Sequence, residues 1–285
     1  MSFTTFEFFL FALMALVVYY IIPQKVRWVW LLILSYMYYF SYHVTTVWMM
    51  ILTTAVTYTG GILLGKLNSE KPDKDADRET KKAFKKDITN KKKKVVLCVI
   101  LLSFGVLAVC KYTNFMIGNI NGILSAFGSS ERLSVLKLTL PLGISFYTFQ
   151  SVSYVVDVYR GKHEPQKNFF KYALFVSFFP QIIQGPIAIY DKFAGQLYEG
   201  HSLRLENLQK GALLVLWGVM KKLVIADRAV NIINFVMDKP MDFSGTYVFF
   251  AAVVYALQLY ADFSGGIDIV RGIAEMFGIT MSTNF

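Results

Sequence analysis

The sequence predicts an all-α, polytopic helical membrane protein with bent or re-entrant helices. Three observations carry this. Of 285 residues, 55% are hydrophobic and 17% charged, against about 25% charged in a soluble domain. Mean hydropathy is +0.47. The charge is also gathered: residues 66–94 hold a dozen basic and six acidic side chains, between long apolar runs. A bilayer-crossing helix needs about 20 such residues. Finally, prolines, glycines and charges interrupt two runs in the second half. Such breaks persist at membrane depth only where protein or water satisfies the freed backbone groups. A β-barrel would show alternating apolar and polar residues, which these runs do not.

The first apolar run covers residues 6–22 and stops at Pro23. It lacks the basic start and small-residue cleavage site of a signal peptide, so it reads as a retained span. The second run, 28–42, is aromatic-rich, with Trp28, Trp30, Tyr36, Tyr38 and Tyr39. The third covers 44–64 and ends at Gly65-Lys66. The fourth starts at Val95, directly after four lysines, and runs to 109 or beyond. Residues 1–285 read as one membrane domain, with 66–94 a charged loop inside it.

Positive residues near span ends mark the cytoplasmic side. Lys25 and Arg27, the 66–94 loop, and the basic group Arg160, Lys162 and Lys167 give consistent parity. Lys221, Lys222 and Arg228 form a further inside cluster. The reading is a multi-pass inner or plasma membrane protein with its N-terminus outside. The net charge of +10 therefore reflects topology lysines, and nucleic acid is not an expected partner. Loop 66–94 reads first as a solvated connector; a partner site or an anionic-lipid contact is the alternative. Cys98 and Cys110 are about 18 Å apart on one helix, too far for a disulfide. No internal repeat is visible, which argues against many secondary transporters.

Residues 140–190 are punctuated by Pro141, Gly143, Pro180, Gly185 and Pro186, with Gln150, Gln181 and Gln184 among the polar side chains. Two readings stand: a re-entrant helix lining a cavity, or a Pro-kinked helix with glutamines joining neighbours. Residues 255–272, YALQLYADFSGGIDIVRG, place Asp262, Asp268 and Arg271 in an apolar segment. Each such charge costs roughly 2.5–3.5 kcal/mol at the bilayer centre, so all three should face protein or water. Asp268, Arg271 and Glu275 share one helical face, where an internal ion-pair stripe is the structural alternative. Asp262 lies about 240° from Asp268, and the two converge only if Gly265-Gly266 breaks the helix. His43, His163 and His201 stand in no metal-ligand or triad spacing.

LPLGISFYTFQSVSYVVDVYRG, YALFVSFFPQIIQGPI and LQLYADFSGGIDIVRGIAEMFG together resemble the membrane-bound O-acyltransferase family, in particular its bacterial alginate O-acetyltransferase branch. The resemblance implies helices around a central funnel, in which an acyl group passes to a hydroxyl of a cell-surface polysaccharide. It implies a buried histidine as general base, a role that suits a pKa near working pH. That histidine belongs to a Trp-His motif expected beyond Phe285, so the chain reads as the N-terminal portion of such an enzyme and as inactive alone. Gln181, Gly185 and Pro186 match the family's Pro-Gln…Gly-Pro segment. Asp262, Phe263, Ser264, Gly265 and Asp268 match its Asp-Phe-Ser-Gly…Asp segment, with Gly266 in place of the family's Tyr. These residues, with Gln184 and Arg271, are the expected funnel lining; no metal or bound cofactor is expected. The acyl donor is expected to be acetyl-CoA or another activated carrier. Expected partners are membrane lipid, the polysaccharide acceptor, and export or acetylation proteins. A non-catalytic remnant or assembly subunit is an alternative, as is a transporter using Asp262 and Asp268.

Overall fold

A computed structural model describes residues 4–41, 44–72, 77–128, 131–136 and 140–283, with the backbone alone at 45 and 183. His43 lies outside the described residues. The regular elements are all helical among those described: α1 (Phe6–Ile21), α2 (Arg27–Phe40), α3 (Val47–Ser69), α4 (Arg78–Ala126), α5 (Ile144–Tyr159), α6 (Phe169–Ser177), α7 (Gln181–Gln184), α8 (Tyr190–Tyr198), α9 (Leu205–Val219), α10 (Asp227–Met237) and α11 (Gly245–Met276). A π-helical segment, Met220–Ala226, joins α9 to α10 without a break. By length and composition α3, α4 and α11 can each cross a membrane, and α1 is a shorter apolar helix. The chain is an all-α polytopic membrane protein. It divides into two compact units, 1–38 with 178–285, and 39–177.

In the second unit, α4 corrects the expected loop. Residues 78–94 are helical and run directly into the apolar stretch. Lysine, arginine and glutamate are good helix formers. Asp77 caps the first turn by accepting from the Glu79 amide at 3.2 Å, and Asp87 pairs with Lys91 one turn on at 2.8 Å. Hydrogen bonding, first from the Thr80 hydroxyl, holds the Asp77 carboxyl below its usual pKa. At about 74 Å, this 49-residue helix is far longer than the hydrocarbon is thick. Gly143, whose φ of 66° is left-handed, precedes the first residue of α5, and Gly161, φ 71°, follows just past its end. There the Lys162 amide returns to the Asp157 carbonyl while its ammonium meets the Asp157 carboxylate at 2.7 Å. Gln150 donates to the Phe175 carbonyl at 2.8 Å, satisfying the end of α6.

The first unit has an aromatic core. Phe179 stacks edge-on against Phe11 and Phe277, Tyr19 against Phe277, and Phe178 against Phe193. Phe178 and Phe179 thus anchor the chain just before the Pro180 break. The Phe179 amide donates to Ser35 Oγ at 3.0 Å, and that hydroxyl donates to the Leu31 carbonyl at 2.7 Å. Arg27, read as a topology charge, is buried instead. Its guanidinium donates to the carbonyls of Ile22 (3.1 Å), Tyr20 (3.2 Å) and His201, and lies 4.9 Å from the Tyr19 ring centroid. Five rigid donors explain why arginine can hold three carbonyls.

α11 ends at a left-handed glycine. Gly278 has φ 82°; its amide bonds the Glu275 carbonyl and the Ile279 amide the Ala274 carbonyl, a Schellman termination. A Cβ there would lie 2.6 Å from His201 Cβ. Gly278→Ala is therefore expected to cost about 1–2 kcal/mol for the left-handed backbone alone, with the ring contact added. A thermal melt of the detergent-solubilised protein checks this; an unchanged midpoint would contradict it.

Candidate functional site

The site assembles where the α9–π–α10 rod crosses α11. The two run antiparallel and meet through glycines at matching heptad spacing, Gly211 and Gly218 on the rod, Gly272 and Gly265 on α11. A Cβ on Gly211 would lie 2.5 Å from the Gly272 carbonyl oxygen, and one on Gly218 2.5 Å from that of Gly265. Small residues let helix backbones approach this closely in membranes.

The close approach brings four charges together. Lys221 pairs with Asp268 and Lys222 with Asp262. Arg271 adds a second cation, 3.3 Å from Asp268 Oδ1. The side chains of Lys221 and Asp268 are each 12% exposed. Both lysines lie in the π segment, a rare geometry often found at functional sites.

Gly265-Gly266 does not break the helix: α11 is continuous through both. The expected condition for convergence is therefore not met, and the aspartates cluster another way. A separation of about 240° in one direction is about 120° in the other. Gly265 lies midway across that shorter arc and faces Gly218, so Asp262 and Asp268 flank the crossing. Adjacent lysines on the opposing π turn reach one each. The glycines serve approach rather than a kink: a Cβ on Gly266 would meet the Gln184 amide carbon at 2.6 Å.

Of the residues expected at the site, Asp262, Gly265, Asp268 and Arg271 stand at the crossing, and Gln184 lies against the neighbouring Gly266. Ser264 is 2% exposed, and its hydroxyl has no partner among the described residues. Gln181, Gly185 and Pro186 form a separate turn. Gln181 donates from its amide to the Pro186 carbonyl at 2.6 Å, and its own carbonyl accepts from Gly185 at 2.8 Å. Pro186 lines a cavity of about 440 Å³ with Phe193, Gln196 and Thr280. Glu275 leaves the ion-pair stripe and accepts from the Thr280 hydroxyl at 3.1 Å.

Sequence reasoning missed Lys221 and Lys222, reading them as topology charges. The available signal was two cations inside the run LLVLWGVMKKLVIA, the counterpart of two anions inside α11. The described histidines have other neighbours. His201 Nε2 lies 2.7 Å from the Gln196 carbonyl, and His163 stacks on Tyr154 at 5.4 Å.

The fold and crossing define a polytopic membrane protein with a paired, largely buried charge cluster. The chain is 31% identical over 279 residues to a Pseudomonas syringae pv. tomato protein named probable alginate O-acetylase, covering 97% of this chain and 49% of that protein. A Helicobacter pylori protein named peptidoglycan O-acetyltransferase is 32% identical over 212 residues, 65% of this chain and 39% of that one. A Bacillus subtilis protein named teichoic acid D-alanyltransferase is 27% identical over 150 residues, 50% and 37% of the two chains. No family profile matches the chain. The chain is similar along nearly its whole length to proteins named alginate O-acetylase, and it spans about half the length of those curated relatives.

Proposed function

We propose that this chain contributes to a membrane O-acyltransferase that passes an acetyl or related acyl group to a hydroxyl of a cell-surface polysaccharide. The observation that carries the reading is the match along 97% of the chain to proteins named alginate O-acetylase. Relatives named for peptidoglycan and teichoic acid support a polymer acceptor of the cell envelope without choosing among polymers. The donor is an activated acyl carrier such as acetyl-CoA, and export or acetylation proteins are the partners. The protein sits in the inner or plasma membrane with its N-terminus outside and the basic start of α4 in the cytoplasm, an orientation supported by the lysines of 78–94.

In this reading the charge cluster positions rather than reacts. Lysines hold Asp262 and Asp268, and the glycine crossing holds the lysines. The Ser264 hydroxyl and the Gln184 amide are the polar groups set beside that frame. Deprotonating the acceptor hydroxyl needs a general base near neutral pKa. This reading gives that role to the histidine of the Trp-His motif that the resemblance implies.

Deletion of the gene is expected to remove ester-bound acyl groups from an envelope polymer, read by mass spectrometry of mild-alkali digests. The wild-type gene should restore them, and Asp262→Asn should restore about a tenth or less. Identical acylation with and without the gene would overturn the proposal.

A further inference from the structure

A second feature, distant in sequence from the charge crossing, lies wholly within the unit of residues 39–177. Where α3 and α5 end and the lysine-rich part of α4 meets its apolar part, they enclose a cleft of about 1150 Å³. Five cations line it: Lys66, Lys92, Arg160, Lys162 and Lys167. Asp157 occupies Lys162. The other four side chains make no ion pair among the described residues, although Glu70 and Glu164 also border the cleft. Next to it, between α3 and α4, lies an apolar groove of about 380 Å³ lined by Val56, Thr59, Leu63, Val95, Val99 and Leu102 among others.

The helical period joins the two. On α3, Lys66, Leu63, Thr59 and Val56 follow at i, i−3, i−7 and i−10. On α4, Lys92, Val95, Val99 and Leu102 follow at i, i+3, i+7 and i+10. Each set is one helical stripe. Each starts with a cation in the cleft and continues along the groove. The helices close behind the groove at Gly60, where a Cβ would strike the Val99 side chain. The cations stand where α4 turns from Lys91–Lys94 to Val95, the level of a bilayer's polar boundary.

We propose that α3 and α4 hold one anionic phospholipid, its phosphate headgroup against Lys66 and Lys92 and an acyl chain along the groove. A soluble phosphate would use the cleft and leave the groove without a role. A zwitterionic lipid would fill the groove and leave the cations unneutralised. An anionic phospholipid satisfies both.

The test is native mass spectrometry of the detergent-solubilised full chain with added phosphatidylglycerol or phosphatidylcholine of identical acyl chains. Phosphatidylglycerol is expected to be retained about tenfold better. At a few-fold per lysine, Lys66→Gln/Lys92→Gln should lower its retention by about tenfold or more and leave phosphatidylcholine nearly unchanged. Thr59→Trp, which fills the groove, should weaken both lipids. Lys85→Gln/Lys86→Gln removes the same charge from exposed positions of α4 and should change neither. Equal retention of the two lipids by the wild-type protein would overturn the proposal, and needs no variant to fold. An equal loss in the Lys85/Lys86 control would overturn it by reducing the effect to general surface charge. Competition by glycerol 3-phosphate at the lipid's own concentration would overturn it in favour of a soluble ligand.

Discussion

Asp268→Asn is expected to lower stability by about 3–5 kcal/mol, the usual cost of removing one partner from a buried pair. The asymmetry of the cluster sets the size. Asp268 serves two cations, Lys221 and Arg271, so its loss strands both in a protein interior. Lys221→Gln leaves Asp268 with Arg271 and should cost clearly less. Asp262, whose side chain is 36% exposed, has water available, and Asp262→Asn should be the mildest of the three in stability. Thermal midpoints in detergent, measured at one ionic strength, give the order. An equal effect of all three would mean that the cluster is solvated and its pairs are weak.

Gly218→Val is expected to be comparably damaging, for a steric reason. Even a methyl there would lie 2.5 Å from the Gly265 carbonyl oxygen and 2.8 Å from the Ile269 amide nitrogen. Both are backbone groups of a continuous helix and cannot rotate away. Overpacking of this kind costs typically 1–3 kcal/mol, and valine adds two further methyl groups at the same contact. Separating the rod from α11 would also pull Lys221 and Lys222 off their aspartates. Gly118 in α4 is the control: a Cβ there meets nothing within 4 Å, and Gly118→Ala should be neutral or stabilising by up to about 1 kcal/mol. Equal midpoints for Gly118→Ala and Gly218→Val would contradict the crossing.

Much of this architecture was legible in the sequence because the bilayer makes hydropathy decisive. The helices behind the first three apolar runs, 6–22, 28–42 and 44–64, start and stop within a few residues of the expected limits. The basic stretch 78–94 was misread as loop because lysine density signals solvent, while helix propensity and the Asp77 cap favour a helix that extends beyond the hydrocarbon. The Pro180 and Gly185-Pro186 breaks were visible, but their partners were not: that Ser35 would receive the Phe179 amide depends on packing between segments 144 residues apart.

The candidate site was half legible. Two aspartates in an apolar helix announce themselves by their cost. Their lysines, some 40 residues earlier, look like topology charges until the antiparallel crossing at Gly218 and Gly265 is known. A π turn has no simple sequence signature, and it is the π segment that presents both lysines to one helix. The geometric expectation failed for a specific reason: it counted 240° round α11 and required a break, whereas a facing helix sees the 120° arc.

The central claim is that the π-segment lysines and the α11 aspartates form one paired unit. A four-member cycle of wild type, Lys221→Gln, Asp268→Asn and the double variant, followed by thermal midpoint, tests it most directly. If the pair exists, the double variant strands only Arg271, and adding Lys221→Gln to Asp268→Asn should recover part of the lost stability. If the double variant instead falls below Asp268→Asn by the full cost of Lys221→Gln alone, the two residues act independently and the account is wrong.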